Sequence, residues 1–539
     1  MQAMGAVSAI RTKRGVNAIP LLIKMMTAQV HRGDDVFGVA TPRESLFTGH
    51  LTDLDELQST NTAIAYNLMR VVPGDLPQPR LYRDRYIIIE SDYLESLASF
   101  DELMNYLSAE TPDRSLTRLV SEFDGQYTIV ILKDEEVSAA RDPVGLKPLY
   151  YCSNNDLAAL STEKKGLWSL GAKNARTFPP GHVWTLGESE SPHPIRQITP
   201  QRVMQREVKE TSELLGSLLR KSVAERGLGL GKVGISFSGG VDSSVTAYLL
   251  SRLELDLYAF VVGVRSHPAL DWALEAAELL GVKVKTQEYA PEDVEKTLRR
   301  CVWRVEEANP VKLGIAIPLC WSANLAKKSG VSTVFTGQGA DELFAGYHRF
   351  LRVMREGGES SLRNAVFESV RDAHEASYHA GEQATAPERV RMLHPFTDWE
   401  LIGFGLSIPP ILKIQSPDDG LRKRILRRAC VDLGLPKQLA DVPKKAMQYS
   451  TGVDNCIRAL AKNKGLATEV YLSHMFEETF HGFRVERPVR GRAASLRVHQ
   501  QSKPVGRTKD SGESTPHRCC ERQENKRPCV VTIFLVYKK

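Results

Sequence analysis

Two architectures in series are predicted: an α+β front half of layered sheets over residues 1–195, then an α/β domain with a parallel sheet and a helical C-terminal part over residues 205–480. Three observations carry this. The chain has 539 residues, too many for one ordinary domain. Its 42% hydrophobic and 25% charged residues are those of a soluble globular protein. The hydrophobic pattern also changes near residue 200: short β-rich runs with turns precede it, and apolar strands alternating with long helical segments follow it.

The elements follow in order. The opening residues lack the charged-then-apolar layout of a secretion signal. They read as a strand and turn rather than as organelle targeting by Arg11, Lys13 and Arg14. Residues 20–28 form a helix with Pro20 in its first turn, and 100–107 another. Runs 85–90, 126–132 and 182–186 are rich in β-branched and aromatic residues and read as strands. The Pro- and Ser-rich stretch 188–200 reads as a linker. Beyond it come strand 232–237, helix 245–253, strand 257–264, helix 272–280 and strand 282–288, the alternation of a parallel sheet covered on both faces. Segments 361–376 and 420–433 read as helices.

Charge and cysteine usage narrow the function classes. Residues 481–539 hold 14 Lys+Arg against 5 Asp+Glu, which leaves 57 against 60 in the rest. The basicity belongs to that tail, so the body gives no charge argument for nucleic acid. The tail's aromatics, Phe483, Phe534 and Tyr537, are not interleaved with its arginines as a stacking platform requires. A disordered or spurious tail is expected, and His517, Cys519, Cys520 and Cys529 match no zinc spacing. Scattered single cysteines in the body fit a reducing cytoplasm. No run approaches the roughly 18 apolar residues of a membrane helix.

The chemistry is carried by Ser238-Gly239-Gly240-Val241-Asp242-Ser243-Ser244, directly after the predicted strand 232–237, in which Ser236 lies, and at the start of a helix. Glycines allow a tight turn and close backbone approach, serines add hydroxyl donors, and the helix N-terminus adds exposed N–H groups. Together they make a phosphate cradle. Asp242 can hold Mg²⁺. The Lys of a Walker loop is absent.

This loop resembles the pyrophosphate-binding loop of the ATP pyrophosphatases. A second stretch, Thr336-Gly337-Gln338-Gly339-Ala340-Asp341-Glu342-Leu343-Phe344-Ala345-Gly346-Tyr347, resembles the second loop of the asparagine synthetase family. Ala259-Phe260-Val261-Val262-Gly263 is similar to the family strand that packs on adenine, Pro395-Phe396-Thr397-Asp398 to its Pro-Phe-Leu-Asp, and Pro443-Lys444-Lys445 to its late lysine loop. In the front half His31-Arg32-Gly33-Asp34, Phe123-Asp124-Gly125-Gln126-Tyr127 and the run from Arg141-Asp142-Pro143 to Tyr151 resemble the glutaminase domain of class II amidotransferases.

The resemblance implies an Ntn-hydrolase-like α/β/β/α sandwich followed by an ATP-pyrophosphatase (HUP-like) domain. It implies a ligase that adenylates a carboxylate, aspartate first, with ATP and Mg²⁺ and then amidates it. Ser236, Ser238, Gly239, Gly240, Asp242, Ser243, Ser244, Val262, Thr336, Gly337 and Lys444 would bind ATP or pyrophosphate, Asp242 and Asp341 the metal, and Lys445 and Gln338 would be catalytic. Partners would be small molecules (ATP, aspartate or another carboxylate, ammonia or glutamine), without membrane or nucleic acid; a homodimer is compatible with this.

The chain departs from the family in both halves. The family's N-terminal Cys nucleophile is replaced by Gln2, a carboxamide that cannot serve. Its Asn-Gly-Glu has no counterpart, the nearest segment being Glu90-Ser91-Asp92, and its glutamine-binding Arg falls near Asn67. Gln338 stands where asparagine synthetases with a Gly-Glu-Gly loop have a Glu, and it takes no proton. Gly314, Ala316 and Ile317 occupy the acyl-substrate region. Ammonia is therefore the expected nitrogen donor. A ligase for another carboxylate and a non-catalytic ATP-binding pseudo-synthetase are the alternatives.

Overall fold

The computed structural model of the chain describes residues 4–13, 15–72, 74–94, 100–443, 450–481 and 483. Among these, the front half builds two antiparallel sheets. One runs, in spatial order, Arg176–Thr177, Tyr150–Ser153, Leu157–Ser161, Met4–Thr12, Thr62–Met69, Val36–Ala40, Ser45–Thr48. The other runs His193–Pro194, His182–Thr185, Glu136–Arg141, Gly125–Lys133, Arg85–Leu94, Arg80–Tyr82. The stretch read as a linker thus contributes an edge strand, His193 pairing with Val183.

Alternation along the strands explains the layering. Val7 and Ala9, Tyr66 and Leu68, Ile88, Val130 and Leu132 meet between the sheets around Trp184. Their neighbours point the other way. Ile10, Ala63 and Ala65 meet Leu22, Met25 and Met26 of helix Ile19–Ala28. Ile87, Ile129 and Ile131 meet Leu103, Leu107, Leu116 and Leu119 of helices Phe100–Leu107 and Pro112–Glu122. The result is the four-layer α/β/β/α sandwich. Each fully buried aliphatic side chain contributes about 1.5–3 kcal/mol.

Five strands form the parallel sheet of the second half, in the order Lys283–Tyr289, Asp256–Val264, Lys232–Ser236, Thr333–Phe335, Arg391–Leu393. On one face Val233, Ile235, Ala259 and Val261 pack with helices Val208–Gly227, Val241–Leu250 and Pro268–Leu279. On the other face Phe260, Val262 and Val334 pack with helices Pro291–Val305 and Pro310–Lys328. No described helix is long and apolar enough to cross a membrane.

Candidate active site

The strand order reverses between Lys232–Ser236 and Thr333–Phe335, because the chain moves outward to one edge and then returns to build the other. Loops leaving the C-terminal ends of strands at such a point diverge and open a crevice. The two motif loops leave these two strands.

In the first loop Gly239 has φ +67°, and a Cβ there would lie 2.8 Å from Trp272 Nε1. Trp272 Nε1 donates to the Gly239 carbonyl at 3.0 Å and pins the turn. Gly240 caps the helix Val241–Leu250. Ser238 and Ser243 share a hydrogen bond of 3.3 Å, and Ser243 also donates to the Gly240 carbonyl at 3.1 Å. Ser244 is buried, and its Oγ has no partner among the described residues. The loop therefore presents free helix N–H groups and a hydroxyl that the protein leaves unsatisfied, which fits a phosphate.

The second loop approaches until a Cβ on Gly337 would lie 2.7 Å from the Asp242 Cβ. This brings Asp242 and Asp341 to a common cation that the sequence reading did not single out. Lys423 Nζ lies 2.7 and 2.6 Å from the two Asp242 oxygens and 2.6 Å from Asp341 Oδ1. Lys423 is fully buried.

Residues 420–433 were expected to be helical throughout, but the helix is Arg424–Asp432. Arg422 and Lys423 are both left-handed, at φ 53° and 51°, which costs about 1–3 kcal/mol each. The turn is held by Asp419, which accepts from the Leu421 and Arg422 amides and from Arg424, and by Arg422 Nε donating to the Gly346 carbonyl at 2.9 Å. A Cβ at Gly346 would lie 2.2 Å from Lys423 Cε, so that glycine makes room for the lysine. The Asp418-Asp419-Gly420 turn signal is what could have revealed this break.

Behind the second loop Thr336 Oγ hydrogen-bonds His394 Nδ1 at 2.7 Å. Burial, with Arg226 and Lys147 nearby, pushes His394 down to about 3, so it stays neutral. Gln338 Oε1 is buried with no partner among the described residues. Tyr347 donates to Glu342 at 2.6 Å, and burial, then Asp341, raises the Glu342 carboxyl. Glu342 and His394 are further residues that the sequence left without a role. Ser236, Ser238 and Val262 line one cleft with Pro318 and Thr451; it measures only about 20 Å³. Lys444 and Lys445 lie outside the described residues, as does Gln2.

In the front half the carboxylates of Glu90 and Asp92 are occupied by charge. Lys147 Nζ lies 3.2 Å from Glu90 and 2.6 Å from Asp92, and Tyr66 donates to Glu90. Arg32 donates to both oxygens of Glu382, at 2.9 and 2.6 Å, and to the Gly5 carbonyl at 3.0 Å. Asn67 Nδ2 donates to the Met26 carbonyl at 3.0 Å. All are buried.

The comparisons with known proteins agree with both halves. A family profile described as asparagine synthase matches residues 214–391 and 356–480, and one described as a glutamine amidotransferase domain matches 99–169. A protein of Methanocaldococcus jannaschii, provisionally named asparagine synthetase (glutamine-hydrolyzing) 1, is 28% identical over 525 residues, covering 86% of this chain and 96% of its own length. The asparagine synthetase (glutamine-hydrolyzing) of Sandersonia aurantiaca is 28% identical over 352 residues, 61% of this chain and 65% of the plant protein. Among solved structures, glutamine phosphoribosylpyrophosphate amidotransferase from B. subtilis covers 52% of this chain and 65% of its own at 14% identity, with a TM-score of 0.30 that carries no weight. With profiles on both halves and relatives of one kind along the chain, this protein belongs to the asparagine synthetase family and is an asparagine-synthase-like carbon–nitrogen ligase.

Proposed function

We propose that the chain adenylates a carboxylate, aspartate first, and amidates it with ammonia. The observation that supports this most is the convergence of Asp242, Asp341 and Lys423 where the two loops meet. A carboxylate is not attacked by an amine until it is activated. Its oxygen attacks the α-phosphorus of ATP, and the bond to pyrophosphate breaks. Ammonia then adds to the acyl carbon, AMP leaves and one proton is lost. The Ser238–Ser244 cradle and Lys423 stabilise charge on the departing pyrophosphate, a term worth about 10²–10³ in rate per well-placed donor. Two carboxylates converging on one point are the donor set of a divalent cation, and Lys423 Nζ holds that point here, so magnesium would share or displace the lysine's contacts. Asp242 and Asp341 would hold the ion, which would offset pyrophosphate charge. Lys444 and Lys445 would add further positive charge.

Gln338 takes no proton, but its unpartnered Oε1 can accept an N–H of the incoming ammonia. Residues 1–195 would form a glutaminase-like domain in which Glu90 and Asp92 are tied to Lys147, which disfavours glutamine hydrolysis. The domain over 205–480 would be the synthetase.

Pyrophosphate release with Mg-ATP and aspartate tests this, run with ammonium and with glutamine. Release with ammonium alone is expected. Release with glutamine would overturn the assignment of the front half. Silence with both donors would refute aspartate. The buried apolar Leu313, Ala316 and Ile317 then favour a less polar carboxylate, which the same assay with aliphatic acids would reveal.

A further inference from the structure

Among the described residues four lysines are buried: Lys147, Lys165, Lys413 and Lys423. Three of them sit against carboxylates. Lys413 is 3% exposed and has no hydrogen bond or ion pair to any described residue. It ends the short helix Pro410–Lys413, and no residue of the two motif loops lines the cavity beside it. A buried ammonium without an anion is costly, and nothing in the surrounding fold offsets it.

The lysine lines a cavity of about 140 Å³. Val366, Phe367, Leu406 and Ile408 form its apolar wall, and Arg363 stands half-exposed at the rim, donating to the Gln201 carbonyl. The volume is close to that of an engineered cavity of about 150 Å³ that takes benzene. Burial alone, with no neighbouring charge contributing, pushes the Lys413 amine down to about 7. An anion beside it would restore full protonation and remove the cost.

We propose that this cavity is a binding site for a short-chain aliphatic monocarboxylate, its carboxylate on the Lys413 ammonium and its hydrocarbon body against the Val366–Leu406 wall. Arg363, Gln201 and Asn364 also line the cavity, but a fully polar tetrahedral anion would leave the Val366, Phe367, Leu406 and Ile408 wall uncovered, which favours a ligand with a hydrocarbon body. The site uses none of the residues placed at the ATP crevice.

Amine footprinting of the full-length chain tests it. The rate of reductive methylation at Lys413, read by peptide mass spectrometry, is measured against a series of carboxylates from acetate to hexanoate. Isoamyl alcohol and inorganic phosphate are the controls. At least one carboxylate of four to six carbons should slow the reaction at Lys413 fivefold or more, while exposed lysines and both controls show no effect. Calorimetric titration of that carboxylate should give binding to the wild-type chain and at least tenfold weaker binding to Lys413→Met. Because the substitution removes a buried charge and keeps the shape, this variant should melt no lower than wild type. Protection by no carboxylate, protection by phosphate or the alcohol alike, or equal affinity in Lys413→Met would each overturn the proposal.

Discussion

Lys423 keeps two carboxylates together that would repel each other without it. Removing it as Lys423→Met leaves Asp242 and Asp341 facing each other with only partial access to water. Breaking a buried pair in this way costs about 3–5 kcal/mol, and the slight exposure of both acids puts this case at or below the lower end of that range. Pyrophosphate release should fall by about 10²–10³. A divalent cation can substitute for the lost charge, so millimolar magnesium should recover more melting temperature in the variant than in wild type. An unchanged rate, or a melting temperature indifferent to magnesium, would refute the role. Ser244 makes the opposite prediction. Its hydroxyl has no partner among the described residues, so Ser244→Ala should leave the ligand-free chain as stable as before. A hydrogen bond to a charged group is worth about 1.5–3 kcal/mol, so ATP affinity should drop about tenfold or more. Calorimetric titration of ATP into both proteins checks this, and equal affinity would remove Ser244 from the cradle.

At the scale of elements, the crevice depends on two loops coming closer than side chains allow. Gly337→Ala would place a methyl 2.7 Å from the Asp242 Cβ, a contact that must push the loops apart. Overpacking costs about 1–3 kcal/mol. Because both strands behind the loops are packed on two faces, the damage should appear as lost pyrophosphate release with little change in circular dichroism. Normal activity in this variant would mean that the loops need not close. The same elements show what the sequence made legible. Period-two strands and the strand–helix alternation are local patterns, and 85–90, 126–132 and 232–237 each fall on observed strands within a few residues at either end. Both motif loops were readable from their residue types alone, although their glycines serve contacts far along the chain, Gly239 with Trp272 and Gly337 with Asp242. Lys423 was not readable. A run of Arg and Lys beside a helical pattern looks like a solvated face, and only the left-handed turn behind Asp419 drives it inward. The edge strand at His193 was hidden in a Pro- and Ser-rich stretch, because its pairing with Val183 is a property of the sheet.

The two halves of the molecule are joined by a seam of buried charge, and its titration is a property of the whole chain. Arg32 and Lys147 of the front half reach Glu382 of the back half. Glu382→Ala would leave the Arg32 guanidinium buried and unpaired on that side, at a cost of about 3–5 kcal/mol, read as a lower urea midpoint. Four histidines lie along the same seam, His379 and His394 buried and His31 and His374 half-buried. His31 packs near Trp303, His379 contacts Arg141 and Tyr150, His374 lies beside Gly145, and His394 lies beside Thr336 with Lys147 in range. Burial lowers all four, His374 to about 4 and His394 to about 3. An unfolded histidine takes its proton near pH 6.5. The folded His394 refuses one until about pH 3, so between these limits the unfolded chain binds more protons. Its contribution to stability is therefore complete above pH 6.5 and shrinks by about 1.4 kcal/mol for each unit of falling pH. Buried carboxylates work the other way. Asp124, pushed up to about 6 by burial, binds its proton more readily when folded. The total slope mixes both kinds, and the informative quantity is a difference. In His394→Asn an amide sits where Nδ1 hydrogen-bonds Thr336, and nothing titrates. Urea unfolding of wild type and variant from pH 7 to 4 should show a stability difference that is flat above pH 6.5 and then moves in the variant's favour by about 1.4 kcal/mol per unit. Parallel curves through pH 4 would mean that His394 is already charged in the folded protein and that the seam tolerates its charge.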